Sequence, residues 1–246
     1  MTAEPRLTVL GTGDAQASRY WNTCYLIEAG GQRLLIDCGY TIKHALANVD
    51  LVLADIDAVF ITHVHGDHVH GLERLGLESR YVLNRRPQLL LAPGIRTPLW
   101  DRCLRGTMAG DGDHGELEDF FAVQDVDPAG FHWQDVNFRL FPTPHVPGKT
   151  SFGLIINDRL IITSDTNPVP WLAEDDSDRI ILHDCSLDEV NPVHTTLNEL
   201  EQVYPPQVLR RLWAIHYGDE LETYRERIEG FCAGVAWQGQ VFALGE

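Results

Sequence analysis

At 246 residues with 44% hydrophobic content, the chain can bury a sizeable core and is expected to form one large domain, residues 1–246. A formal charge of −17 gives the surface a negative field that repels polyanions, so long RNA or DNA is excluded as an expected partner and a small-molecule substrate is favoured. Residues 1–6 lack the basic and then apolar pattern of a secretory signal, and no run approaches the roughly 20 apolar residues that span a bilayer, so a cytoplasmic protein without membrane contact is expected.

Residues 7–10, 24–28 and 33–37 are short β-prone runs separated by turns, and Gly30-Gly31 between the last two predicts a hairpin. Residues 42–49 predict a short helix. The apolar run 58–61 has no polar alternation, as in a strand buried on both faces, and it stops at Thr62. A helix is expected to start over 71–75, with 81–83 and 88–92 as further short strands or loop. From 97 to 126 the pattern is irregular, with Trp100, Phe120 and Phe121 flanking a Gly- and acid-rich stretch. It reads as an inserted lid or cap, or else as a helix pair covering the edge of the core. The second half repeats the opening: 136–141, 151–156, 159–163 and 180–184 are strand-like, with Asn157-Asp158 as a tight turn. Residues 196–203 and 206–211 predict helices, 212–215 a buried strand, 220–230 a helix and 240–244 a last strand. Two runs of strands, each followed by helices, predict an α/β chain folded as a four-layer αββα sandwich: two mixed β-sheets face to face with helices outside.

The chemistry concentrates directly after the buried strand, where His63, His65, Asp67 and His68 place four metal-ligand side chains within six residues. Histidine with carboxylate suits zinc and also manganese or iron. Ligands packed this tightly cannot all reach one ion and leave a position open for water, so two divalent ions are expected. The five cysteines, Cys24, Cys38, Cys103, Cys185 and Cys232, are odd in number and contain no CxxC pair, so they are expected to be buried thiols rather than disulfides or a zinc knuckle.

This run resembles the HxHxDH signature of the metallo-β-lactamase superfamily, and the rest of that family's pattern is present in order. His145 stands in the run 142–148 ahead of a strand, Asp165 in Thr163-Ser164-Asp165-Thr166, and His216 after the late strand. The resemblance implies that His63, His65 and His145 hold one ion, Asp67, His68 and His216 the other, and that Asp165 bridges them. His194, followed by Thr195-Thr196, is similar to the histidine loop of the phosphodiesterase branch, which includes the tRNA 3′-processing endonucleases and the cyclic phosphodiesterases of phosphonate breakdown. The segment 11–19 with Asn22-Thr23 also resembles that branch. In those relatives the histidine contacts the scissile phosphate and helps to protonate the leaving group, whereas a local reading makes His194 only the residue before Thr195 as a helix cap. No basic arm of the kind that grips tRNA is present, which again favours a small substrate.

The resemblance thus implies a dinuclear, metal-dependent hydrolase acting on a small phosphodiester. A hydroxide bridging the ions would attack, Asp67 would orient it, and His194 would protonate the leaving oxygen. The same site could instead open lactones or thioesters, and Trp100, Phe120 and Phe121 lining a pocket would favour that. From another class, a di-iron centre could bind dioxygen as a sensor. A homodimer is compatible with all three. Asp184 reads either as a carboxylate that orients a ligand histidine or as an ordinary strand end, and His70 as either a supporter of the site or a solvated loop residue. His44, His114 and His132 are expected at the surface.

Overall fold

Fourteen strands build two seven-stranded sheets among residues 4–110 and 115–245, which the computed structural model describes. The first sheet is laid down by β1 (Arg6–Gly11), β2 (Cys24–Ala29), β3 (Gln32–Ile36), β4 (Ala58–Ile61), β5 (Gln88–Leu91) and β6 (Ala122–Asp125). The second takes β7 (Gly130–Trp133), β8 (Val136–Pro142), β9 (Phe152–Ile156), β10 (Leu160–Ile162), β11 (Ile180–Asp184), β12 (Leu212–Ile215) and β13 (Gly234–Val235). The chain then returns to the first sheet as β14 (Val241–Ala243), which pairs with β1. Each sheet is an antiparallel run followed by a parallel one: β3, β4, β5 and β6 run parallel in the first, and β10, β11, β12 and β13 in the second. The repeat seen along the sequence is therefore a repeat of topology.

Side-chain alternation sets the layers, because successive residues of a strand point to opposite faces. In the second sheet Leu160, Ile162, Leu182 and Ile215 join the core shared with the first sheet. Their neighbours Ile161, Ile181, Leu212 and Ala214 pack instead with Leu197, Leu200, Val208, Leu221 and Ile228 of the covering helices. On the first sheet Ile42, Ala45, Leu72 and Leu75 come from its own helices, Ile42–Ala47 and Gly71–Tyr81. The αββα arrangement follows. All of β4 is buried, as its unbroken apolar run requires.

The turns fit their residues. Gly30 and Gly31 (φ 57° and 78°) close the β2–β3 hairpin, and Asn157 and Asp158 (φ 48° and 57°) close β9–β10, residue types that enter the left-handed region at low cost. Four expectations need correction. Residues 81–83 are not strand: the helix Gly71–Tyr81 runs into them and leaves Tyr81 and Val82 exposed. The segment 97–126, read as a lid, contributes helical turns over 96–108 and then β6, the edge strand of the first sheet. Its Trp100, Phe120 and Phe121 are buried in the central core, because an edge strand and its helix are held by what they bury. Residues 111–114 of that segment, with His114, lie outside the described residues. Strands β6 and β7 were not expected: β6 is mostly exposed, so it lacks the apolar pattern that marks a strand. Four of the five cysteines are buried and free, while Cys103 is half-buried. No helix among the described residues is long and apolar enough to cross a membrane.

Candidate metal centre

Five strands, one of the first sheet and four of the second, carry the site at their carboxyl ends. Thr62 and His63 follow β4, His145 follows β8, Asp165 follows β10, Asp184 ends β11 and His216 follows β12. Ligand sites of open α/β sheets form at such strand ends. His65 and the helical turn Gly66–Val69 complete the loop after β4. That turn packs so closely against the chain after β3 that a Cβ on Gly39 would lie 1.9 Å from the Asp67 carbonyl oxygen, so only glycine fits there. Asp37, Ser164 and His216 have φ of 65°, 55° and 63°, a conformation that non-glycine residues adopt at a cost; all three stand at strand ends facing the site.

All seven residues expected from the sequence come together. The donor atoms of His63, His65, His145 and Asp165 form one group, and those of Asp67, His68, Asp165 and His216 a second, with Asp165 common to both. In the first, His65 Nδ1 lies 3.1 Å from both His63 Nε2 and His145 Nε2, while Asp165 Oδ2 is 3.4 Å from His63 Nε2 and 3.8 Å from His145 Nε2. In the second, His68 Nε2 lies 3.2 Å from Asp67 Oδ2 and 3.3 Å from Asp165 Oδ1, and His216 Nε2 is 3.5 Å from Asp165 Oδ2. Zinc bonds of about 2.0–2.1 Å in a tetrahedron put neighbouring donors about 3.3–3.4 Å apart. The separations in the two groups, 3.1–3.8 Å and 3.2–3.5 Å, bracket that spacing. His68 Nε2 is moreover buried without a hydrogen-bond partner, as is Asp184 Oδ1 nearby. The donor set therefore fits two divalent cations.

Further contacts aim these side chains. His68 Nδ1 is 2.8 Å from Asp37 Oδ2, and Asp37 also accepts from the Thr62 backbone N–H (2.8 Å) and the Thr62 hydroxyl (2.7 Å). His145 Nδ1 donates to the Val193 carbonyl at 2.8 Å, and His216 Nδ1 lies 3.0 Å from the Thr23 hydroxyl. With Nδ1 occupied, each ring presents Nε2 to the centre. Asp37 and Thr62 were not singled out from the sequence. A buried carboxylate on a strand flanking the histidine strand is the signal that could have found Asp37. Thr23 does lie in the opening segment whose resemblance was noted.

Burial, followed by the charges of neighbouring His63, Lys149 and His145, pushes His65 down to about 3. Burial likewise lowers His145 to about 4, against the pull of Asp165. Both rings are thus neutral near pH 7, the form that binds a cation. Burial opposes ionisation of Asp67 and Asp165. The surrounding histidines outweigh it and hold both carboxyls below their ordinary range.

His194 stands beside these groups, its ring 5.0 Å from that of His145 and 5.1 Å from that of His216. Its Nδ1 donates to Asp184 Oδ2 at 2.8 Å, so Asp184 orients His194 rather than one of the seven. Burial opposes a charge on His194, but the Asp184 hydrogen bond and charge carry it up to about 9. The helix that follows is capped by Thr196, not Thr195; the Thr195 hydroxyl donates to the Thr166 carbonyl. His70, His44 and His132 are exposed, the first on the rim of a cavity beside His65. His183 is buried and pairs with the Tyr204 hydroxyl, away from the centre.

The architecture matches a diphosphatase of the PhnP family (TM-score 0.75, 16% identity, covering 98% of this chain and 100% of that one). It also matches the metallo-β-lactamase fold protein YhfI of Bacillus subtilis (TM-score 0.74, 16% identity, 98% and 99%). At that identity the likeness is one of fold, and the fold is that of the metallo-β-lactamases. In sequence, the anti-Pycsar protein Apyc1 of Paenibacillus harenae is 37% identical over 226 residues, 90% of this chain and 93% of the relative. The profile of the anti-Pycsar protein Apyc1 family matches residues 5–242, and the chain belongs to that family.

Proposed function

We propose that the protein is a metal-dependent phosphodiesterase that hydrolyses a small cyclic nucleotide to a nucleoside monophosphate. The observation that carries this reading is His194: a histidine outside both four-residue groups, beside them, and held through Nδ1 by a buried carboxylate. Alkoxide leaves phosphorus poorly unless it is protonated, and a fixed imidazole next to the centre meets that need. The family is named for anti-Pycsar action, and a cyclic nucleotide is the small phosphodiester we infer for it.

In this reaction water adds to phosphorus, one P–O ester bond breaks, and the freed ribose oxygen takes up a proton. Two divalent ions, zinc on the chemistry of the donors, would be held by His63, His65, His145 and Asp165 and by Asp67, His68, His216 and Asp165; they supply the Lewis acidity that polarises the phosphoryl group and activates water near neutral pH. Asp67 accepts a hydrogen bond from the attacking water and fixes its direction. Asp184 keeps His194 Nδ1 occupied, which leaves the Nε2 proton for the departing oxygen. Asp37, Thr23 and the Val193 carbonyl keep the rings from turning away.

Trp100, Phe120 and Phe121 would favour an acyl hydrolase on the same site if they lined a pocket, and all three lie in the core instead. Zinc- or manganese-loaded protein is therefore expected to convert 3′,5′-cyclic nucleotides to monophosphates and to leave an acyl-homoserine lactone intact. Lactone opening without phosphodiester cleavage would sink the proposal.

A further inference from the structure

Two cavities border the centre, one at His65 and one at His194, and their charges are opposite. One, of about 550 Å³, lies next to His194 and is lined by Asp14, Asp188, Asp219 and Glu220. The other, of about 540 Å³, runs from His65 and His70 to Ile95, Pro98, Arg102 and Lys149. In a chain with an excess of carboxylates, Arg96, which follows Ile95 of this second cavity, is already engaged with Glu118 and Asp125. Arg102 and Lys149 are not. Among the described residues neither side chain has an ion-pair or hydrogen-bond partner, and both are exposed where they line the cavity.

A second observation singles out Arg102. Trp100–Leu104 form one turn of π-helix, with Arg102 at its middle. Such a turn inserts an extra residue into a helix, has poorer hydrogen-bond geometry than the α form, and recurs at functional sites. Here its ends are pinned by the buried Trp100 and Leu104, while Arg102 is left at the mouth of the cavity.

A cyclic nucleotide carries one phosphate, which the centre takes. Its other strong acceptors are the carbonyl oxygens and ring nitrogens of the base. The cavity lined by four carboxylates repels such lone pairs, whereas Arg and Lys are the side chains that bind them, and a volume of this order holds a small organic ligand. We propose that the cavity beside His65 receives the nucleobase, and that Arg102 and Lys149 hold its acceptor edge against the apolar wall of Ile95 and Pro98. This rests on the cyclic-nucleotide reading above.

The test compares kinetics of the zinc-loaded wild type, Arg102→Ala and Lys149→Ala on a 3′,5′-cyclic nucleotide and on ribose 3′,5′-cyclic phosphate, which lacks the base. Each substitution is expected to raise KM for the nucleotide about tenfold, with kcat within about threefold, and to raise KM for the base-free ester by less than about threefold. Equal rises on both substrates, which would mean that the cations hold phosphate, overturn the proposal. So does an unchanged KM for the nucleotide. A wild type inert towards every cyclic nucleotide overturns the functional reading and this inference with it; an active wild type with indifferent variants overturns the inference alone.

Discussion

Asp165 divides its two carboxylate oxygens, Oδ1 towards His68 and Oδ2 towards His63, His145 and His216. Replacing it should therefore disturb both groups at once. Asp165→Ala is expected to lower bound metal, measured by elemental analysis, well below two ions per chain; retention of both would contradict the shared role. Asp184 acts one step further out, through His194. Asp184→Asn removes the charge that keeps the imidazole protonated and oriented, and kcat for cyclic-nucleotide hydrolysis should fall by about 10²-fold, the lower end of what acid–base assistance contributes, with KM little changed. A matching loss of metal would instead make Asp184 part of the metal cage. At this scale His63, His65, Asp67 and His68 were legible because histidine and aspartate in a tight run have few other uses, and His145, Asp165 and His216 were legible through the family resemblance. Asp37 was not, because a lone aspartate after a strand looks like any turn residue until the fold brings His68 within 2.8 Å of it.

Among the elements, the helix Leu197–Val203 matters because it starts directly after the His194 loop. The Thr196 hydroxyl accepts from the Glu199 backbone N–H, and the Glu199 carboxylate accepts from the Thr196 N–H and hydroxyl, a reciprocal cap that satisfies otherwise free donors at the helix start. Thr196→Ala should cost about 1 kcal/mol, read as a fall in Tm of about 2–4 °C by calorimetry. Near the start of β11, Asp175 pairs with Arg211 (2.7 Å) and Arg179 (3.0 Å), all three partly buried. Burial would raise the Asp175 carboxyl; the Ser177 hydroxyl and the two guanidinium groups more than offset it, so its folded-state pKa is depressed. Its contribution, about 2 kcal/mol for charged hydrogen bonds, is present above the ordinary aspartate value of about 3.9 and is lost as the pH falls through the lower folded value. Asp175→Asn should accordingly unfold earlier than wild type in urea at pH 7, and the two curves should converge in strong acid. A gap that persists there would assign the effect to packing. Elements with an apolar face were readable along the chain, and β6, whose face is solvent, was not.

For the whole molecule, the two four-residue groups draw on both sheets, so bound ions tie the sheets together. Removing metal with a chelator should lower Tm, and adding zinc back should restore it, by about 2.7 kcal/mol for each site held at a hundredfold excess over its Kd. A Tm indifferent to chelation would argue against resident metal. Most of the strands and helices, the αββα class and the run His63 to His68 were written in local patterns: buried apolar runs, turn residues, and ligand types after a strand. Those patterns depend on a few neighbouring residues, which the chain states directly. What only the tertiary structure decided are relations between distant segments: Asp184 meeting His194, the 97–126 aromatics turning into the core, and Arg102 and Lys149 facing one cavity while four carboxylates face the other. Which side of an irregular segment is buried depends on the surface it packs against, and that surface exists only once both sheets have formed.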